Sequence, residues 1–142
     1  MSQAIGIDIT RDEITETLAF FDDWEDRYRY IIDLGKQLPP LPDALKTDDY
    51  LVRGCQSQVW IDVVEHDGKL YFNIDSDALI VRGLLALLFS AYNGRTAAEI
   101  IAFDVEAWFE KLQLLKHLSP IRGNGLRAMV AYVRDEAGKR LD

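Results

Sequence analysis

Apolar residues recur along this chain at two spacings, and the switch from one to the other maps its elements. Thr10-Arg11-Asp12-Glu13 has the form of a capping box, and Ile14, Leu18 and Phe21 follow at helical spacing. A short helix over about 11–21 is predicted. Asp22 or Asp23 can cap a second helix, with Trp24, Tyr28, Ile31 and Ile32 on one face, Glu25 four residues before Arg29, and Gly35 as its stop. The two helices are expected to pair antiparallel. A proline-bearing loop over 36–50 connects them to a region where the period falls to two. There Val59, Ile61 and Val63 alternate with Trp60, Asp62 and Val64, and Leu70, Phe72 and Ile74 alternate on a return strand. Asp67-Gly68 between them is a favoured two-residue hairpin turn. Leu51 to Arg53 offers a short third strand.

Helical spacing then returns. Asp75-Ser76-Asp77 ends the hairpin and can cap a helix over Leu79–Tyr92 that is apolar nearly all round, which predicts burial on most of its circumference. Gly94 ends it, and Thr96-Ala97-Ala98-Glu99 is a second capping box. Asp104 caps a helix carrying Val105, Trp108, Phe109 and Leu112. Ser119-Pro120 signals the start of a last helix, with Leu126, Met129, Val130, Val133 and Ala137 along its stripe. The fold class is therefore α+β: a small antiparallel sheet of two to three strands packed against five to six helices. Trp24, Trp60 and Trp108 all lie on apolar faces and are expected in the core.

Bulk properties narrow the function classes. At 142 residues the chain fits one domain, 1–142, able to bury a core without disulfides. Its 16 basic against 24 acidic residues leave a net charge of −8, which argues against nucleic acid or an anionic membrane as the main partner. The most apolar segment, Leu79–Tyr92, is shorter than the ~18 residues of a membrane span and includes Arg82. The N-terminal stretch lacks a basic region followed by an apolar run, so no signal peptide is expected. One cysteine and two histidines supply neither a disulfide nor a thiolate-rich metal site, and no metal or resident cofactor is expected. A reducing cytoplasm suits such a chain.

That single cysteine, Cys55, stands in Arg53-Gly54-Cys55-Gln56-Ser57-Gln58-Val59-Trp60, at the mouth of the first strand. A free cysteine is commonly a small buried hydrophobe. This one has polar neighbours, a glycine before it that permits a tight turn, and a cation at Arg53 that favours the thiolate. The context points to a thiol presented outward. It does not by itself name a reaction.

The residues around it resemble the SufE/CsdE family of sulfur acceptors. The likeness rests on GCQSQVW (Gly54 to Trp60), on Ser76-Asp77-Ala78 followed by Ile80, Val81, Gly83 and Leu84, and on FDVxxWFEK (Phe103 to Lys111). It extends through HLSPxRxxGLxAM (His117 to Met129) and WEDRYRYIIDLGKQLPPLP (Trp24 to Pro42), so it covers about 10–137. GCQSQVW and FDVxxWFEK look like the SufE branch. RGLLA (Arg82 to Ala86) and GRTAAE (Gly94 to Glu99) look more like the CsdE branch, which leaves the desulfurase partner open.

The resemblance implies a sulfur acceptor and activator of a cysteine desulfurase whose pyridoxal phosphate belongs to the partner. Cys55 would take a persulfide sulfur and pass it toward an iron–sulfur scaffold. Thiol chemistry agrees: the thiolate is the nucleophile in sulfur exchange, and a carrier gains from having no second thiol to resolve its persulfide. A cluster scaffold needs several thiolates, and this chain has one. The resemblance also sets Arg122 near the thiol loop, to steady a thiolate or persulfide, with a plain surface arginine as the alternative. Asp77 would position the loop or meet the desulfurase, or would simply cap a helix. Gly54 supplies the turn, and Gln56 and Ser57 offer hydrogen bonds to a persulfide or serve turn chemistry. His117 reads as structural and His66 as solvated. Two other function classes compete. A stand-alone cysteine enzyme is disfavoured, since neither histidine is in a motif that pairs it with Cys55. A redox-sensing or binding module would use Cys55 without sulfur transfer.

Overall fold

The computed structural model describes residues 9–39, 41–52, 54 and 57–141. Arg53, Cys55 and Gln56 lie outside the described residues, so the readings placed on them are taken up only as proposals. The described residues form six helices and one hairpin: α1 (Arg11–Phe20), α2 (Trp24–Lys36), β1 (Val59–His66), β2 (Lys69–Ser76), α3 (Leu79–Tyr92), α4 (Ala97–Ala102), α5 (Val105–Leu112) and α6 (Pro120–Gly138). Single 3-10 turns occupy Asp43–Leu45 and Leu115–His117. This is the expected α+β arrangement of a small antiparallel sheet and about six helices.

Local chemistry forms most boundaries. Thr10 accepts from the Glu13 amide at 3.2 Å and Asp23 from the Asp26 amide at 2.9 Å, so α1 and α2 begin where their caps stand. At α4 the capping box is complete: the Glu99 amide donates to Thr96 Oγ1 at 3.1 Å and the Thr96 amide to Glu99 Oε1 at 3.0 Å. These hydrogen bonds hold the Glu99 carboxyl below its ordinary pKa. Ser119 caps α6, with Pro120 in its first turn. In the hairpin, Asp67 (φ 52°) and Gly68 (φ 77°) both take the left-handed backbone that the tight turn needs, and the register runs from His66 opposite Lys69 to Val59 opposite Ser76.

α3 is the centre of the molecule. Leu84 to Tyr92 are all buried, and Phe89 meets Phe72 of the hairpin at 4.8 Å between ring centroids. α2 crosses α3 at two glycines. A methyl group on Gly83 would lie 2.3 Å from the Ile31 carbonyl oxygen, and one on Gly35 would lie 2.5 Å from the Gly83 amide nitrogen. Backbone is therefore packed on backbone, which only glycine permits at both positions.

This crossing corrects two expectations. Gly35 does not stop α2, which continues to Lys36 with Gln37 as its C-cap; the glycine serves close approach within the helix. Nor do α1 and α2 form a hairpin pair. The principal neighbour of α2 is α3, while α1 lies against α3 and α5. Two further expectations are modified. The third strand shrinks to one bridge, Leu51 with Trp60, although two backbone bonds support it: Val52 N–H to the Val59 carbonyl at 2.8 Å and Ile61 N–H to the Tyr50 carbonyl at 2.9 Å. Trp60 and Trp108 are buried as expected, but Trp24 is only half-buried and stacks on His117 at 4.1 Å.

Candidate functional site

The segment that carries Cys55 is described on both sides of it, and both sides meet the same surface. On the entering side, Gly54 is exposed with φ +91°, and a Cβ placed there would sit 3.2 Å from Ala128 Cβ of α6. The left-handed backbone favours glycine at this point, and the nearness of α6 makes a side chain there tight as well. On the leaving side, Ser57 forms one wall of a cleft of about 220 Å³. Val81 and Leu84 of α3 and Arg122, Gly125 and Met129 of α6 form the others. Residues 122, 125 and 129 share one helical face, which is why the end of α6 nearest its cap faces the cysteine segment.

Arg122 also lines a second cleft of about 320 Å³, with Tyr28, Ile32, Ile80 and His117. Its side chain thus stands on the ridge between two clefts, and it joins none of the ion pairs found among the described residues. A guanidinium so placed can meet an anion that arrives from solvent. His117 is held structurally: its ring stacks on Trp24, and its carbonyl accepts from the Tyr28 hydroxyl. His66 is exposed and pairs with Asp67 at 3.3 Å, far along the hairpin from the cysteine segment.

Asp77 departs from the simpler expectation. It does not cap α3, whose N-cap position is Ala78 with no side-chain hydrogen bond. Its carboxylate instead accepts from the Gln58 amide at 3.1 Å, and its own amide donates to the Gln58 carbonyl at 3.3 Å. A second hydrogen bond to that carbonyl comes from Ser76 Oγ at 2.7 Å. Gln58, three residues after Cys55, is thereby gripped through both of its backbone groups. A carboxylate facing a loop amide does more here than it would at a helix start, because Ser76 Oγ already accepts from the Ala78 amide at 3.3 Å.

The structure therefore brings Gly54, Ser57 and Arg122 to one surface, with Asp77 holding the segment beside them. Sequence reasoning missed Ser76, Gly125 and Met129. Gly125 and Met129 stood within the HLSPxRxxGLxAM likeness and Ser76 within the Ser76-Asp77-Ala78 block, with no role at the site assigned to them. Two large apolar side chains of this region are exposed: Ile121, which lines the first cleft, at 55%, and Leu79, next in sequence to Ile80 of the second, at 60%. Among the described residues, no group of three or more His, Cys, Asp or Glu side chains could hold a metal ion. No helix among them is long and apolar enough to cross a membrane.

Known proteins share both the sequence and the fold. An uncharacterised SufE-like protein of Rhizobium meliloti is 46% identical over 136 residues, spanning 92% of this chain and 96% of the relative. A second, from Rhizobium etli, is 47% identical over 134 residues, spanning 91% and 90%. The solution structure of a hypothetical protein from Thermus thermophilus superposes with a TM-score of 0.75 at 17% identity, covering 92% of this chain and 94% of that one, and so shares the fold. The profile of SufE, the Fe-S metabolism associated domain, matches residues 12–137. With nearly the whole chain matched, by sequence and by architecture, this protein belongs to the SufE family.

Proposed function

We propose that Cys55 accepts sulfur from the persulfide of a pyridoxal-phosphate-dependent cysteine desulfurase and passes it on for iron–sulfur cluster assembly, the whole of 1–142 acting as one acceptor domain. Membership of the SufE family supports the sulfur-acceptor role. The observation that carries the site assignment is the bracketing of Cys55: Gly54 against α6 on one side, and Ser57 in the Arg122 cleft on the other.

The step is an exchange at sulfur. The Cys55 thiolate attacks the terminal sulfur of the partner's persulfide, an S–S bond forms to Cys55, and the partner's S–S bond breaks. The electron pair of the broken bond stays on the partner's cysteine, which leaves as a thiolate. No oxidant or reductant is consumed. Arg122 supports the negative charge of the Cys55 thiolate before attack and of the transferred terminal sulfur when that is deprotonated, and Ser57 offers a hydroxyl donor. Leu79 and Ile121 seat the desulfurase around the clefts, where apolar contact excludes water from the exchange. A reducing compartment such as the cytoplasm keeps the lone thiol available.

The test is intact mass after incubation with a desulfurase and free L-cysteine. A gain of about 32 Da per chain, removed by dithiothreitol and absent in Cys55→Ser, is expected for one sulfane sulfur on Cys55. Cys55→Ser should fold normally and give no stimulation of desulfurase turnover. Stimulation that survived in the folded variant would sink the mechanism. An alkylatable Cys55 that gains no mass with any of several desulfurases would instead favour a redox-sensing or binding module.

A further inference from the structure

Asp77 and Ser76 hold the limb that leaves the cysteine segment; the residue before them reaches the limb that enters it. Asp75 stands opposite Trp60 in the hairpin, and its side chain is only 8% exposed. Its two carboxylate oxygens face different cations. Oδ2 is 3.4 Å from Lys46 Nζ, and Oδ1 is 3.0 Å from Arg82 Nε. The Ser76 amide also donates to Oδ1 at 2.8 Å. The Arg82 contact is an ion pair and not an aligned hydrogen bond. Arg82 Nη2 in turn donates to the Leu38 carbonyl at 3.4 Å, which ties α3 to the start of the loop.

Lys46 has one more contact: its ammonium lies 5.8 Å from the centroid of the Trp60 ring. Four and six residues later the chain reaches Tyr50 and Val52, whose backbones pair with β1 just before Gly54. A buried carboxylate with its charge partners contributes little net stability compared with an apolar side chain of similar size, because desolvation offsets the attraction. What it does fix is geometry. Lys46 is tethered to Asp75 a few residues before the run 50–52 that pairs with β1.

We propose that Asp75 and Lys46 are positioning residues for sulfur transfer: the Asp75-Ser76-Asp77 turn clamps both limbs of the cysteine segment, the entering limb through Lys46 and the leaving limb through Gln58. The inference rests on the sulfur-acceptor reading of Cys55. It assigns to Asp75 a role that needs no contact with sulfur, exerted through a cation on another part of the chain.

Asp75→Asn leaves two cations facing a neutral amide and can fail to fold, so Lys46→Met is the decisive variant. It keeps an apolar stem beside Trp60 and removes only the charge, from a side chain that is 34% exposed. Desulfurase stimulation is measured against acceptor concentration, and hydrogen exchange is followed at the Val52 and Ile61 amides. The expected result is a ~10-fold lower stimulation at saturating acceptor with the half-saturating concentration unchanged, as for a misplaced reacting group. Exchange should quicken at Val52 and Ile61 and stay unchanged in α3, and Lys46→Arg should restore both readouts. Wild-type stimulation by Lys46→Met, or faster exchange throughout the helices, overturns the positioning role while a wild-type protein that still gains sulfur leaves the acceptor reading standing. A wild-type protein that gains no sulfur overturns both.

Discussion

The two ends of the β1–β2 hairpin carry the same residue type under opposite constraints. At the closed end Gly68 has φ +77° and nothing within 4 Å of the position a Cβ would take. Beside the open end Gly54 has φ +91° and finds Ala128 of α6 at 3.2 Å. The closed end is a local solution: two residues turn the chain, and solvent surrounds them. The open end depends on distant parts of the chain, with Ser76 and Asp77 on Gln58, Lys46 on Asp75, and α6 against Gly54. A turn that only has to reverse direction needs no neighbours. A segment whose two described sides rest on a helix and on a turn far away in sequence needs several.

Breaking the support beneath both ends should have the largest effect. Gly83→Ala would force a methyl group to 2.3 Å from the Ile31 carbonyl oxygen, a backbone atom that cannot swing away. A loss of about 3 kcal/mol or more is expected, read as a lower urea midpoint, with hairpin and helices failing together. Wild-type stability in that variant would show that the α2–α3 crossing can open without loss.

Gly54→Ala tests the open end alone. A left-handed backbone costs a residue with a side chain about 1–2 kcal/mol, and the methyl group would also press on Ala128. Sulfur transfer should fall by roughly ten-fold, more than so modest a change in stability explains. Gly68→Ala at the closed end should cost about 1 kcal/mol for the same backbone reason and leave sulfur transfer at the wild-type rate. Equal effects of the two substitutions on transfer would erase the distinction between the ends.

The smallest effect concerns the core below the closed end. Tyr92 is fully buried, its hydroxyl has no hydrogen-bond partner among the described residues, and burial pushes its pKa up to about 12. Its folded pKa thus lies above the value of about 10 in an unfolded chain. The neutral form is favoured in the fold, so stability is unaffected below pH 10 and is lost as pH rises from there toward about 12. Tyr92→Phe should remove that alkaline loss and be close to neutral at pH 7, with sulfur transfer unchanged. Thermal melts of both proteins at pH 8 and near pH 11 would check it.

Legibility followed the range of the interactions involved. The caps at Thr10, Asp23, Thr96, Asp104 and Ser119 act within three residues, and each was readable because its donor and acceptor are neighbours in sequence. The Asp67-Gly68 turn and the alternation beside it were readable for the same reason. Gly35 was misread because a glycine near a helix end fits a C-cap as well as a helix crossing, and only Gly83, 48 positions further along, separates the two. Asp77 was left between two readings for the same reason: an aspartate before a helix is an N-cap by local rules, and only Gln58, with its competing amide, decides for the loop.

By itself, then, the sequence determined the element order, the two-residue turn of the hairpin and the supply of a single cysteine next to a glycine, since each rests on residues a few positions apart. Tertiary structure alone decided that α3 pairs with α2, and that Ser57 shares a cleft with Arg122. It alone also set the entering and leaving limbs of the cysteine segment on one turn. Those outcomes depend on which distant backbones can approach and which buried charges must find partners, and no short stretch of the chain contains both members of such a pair.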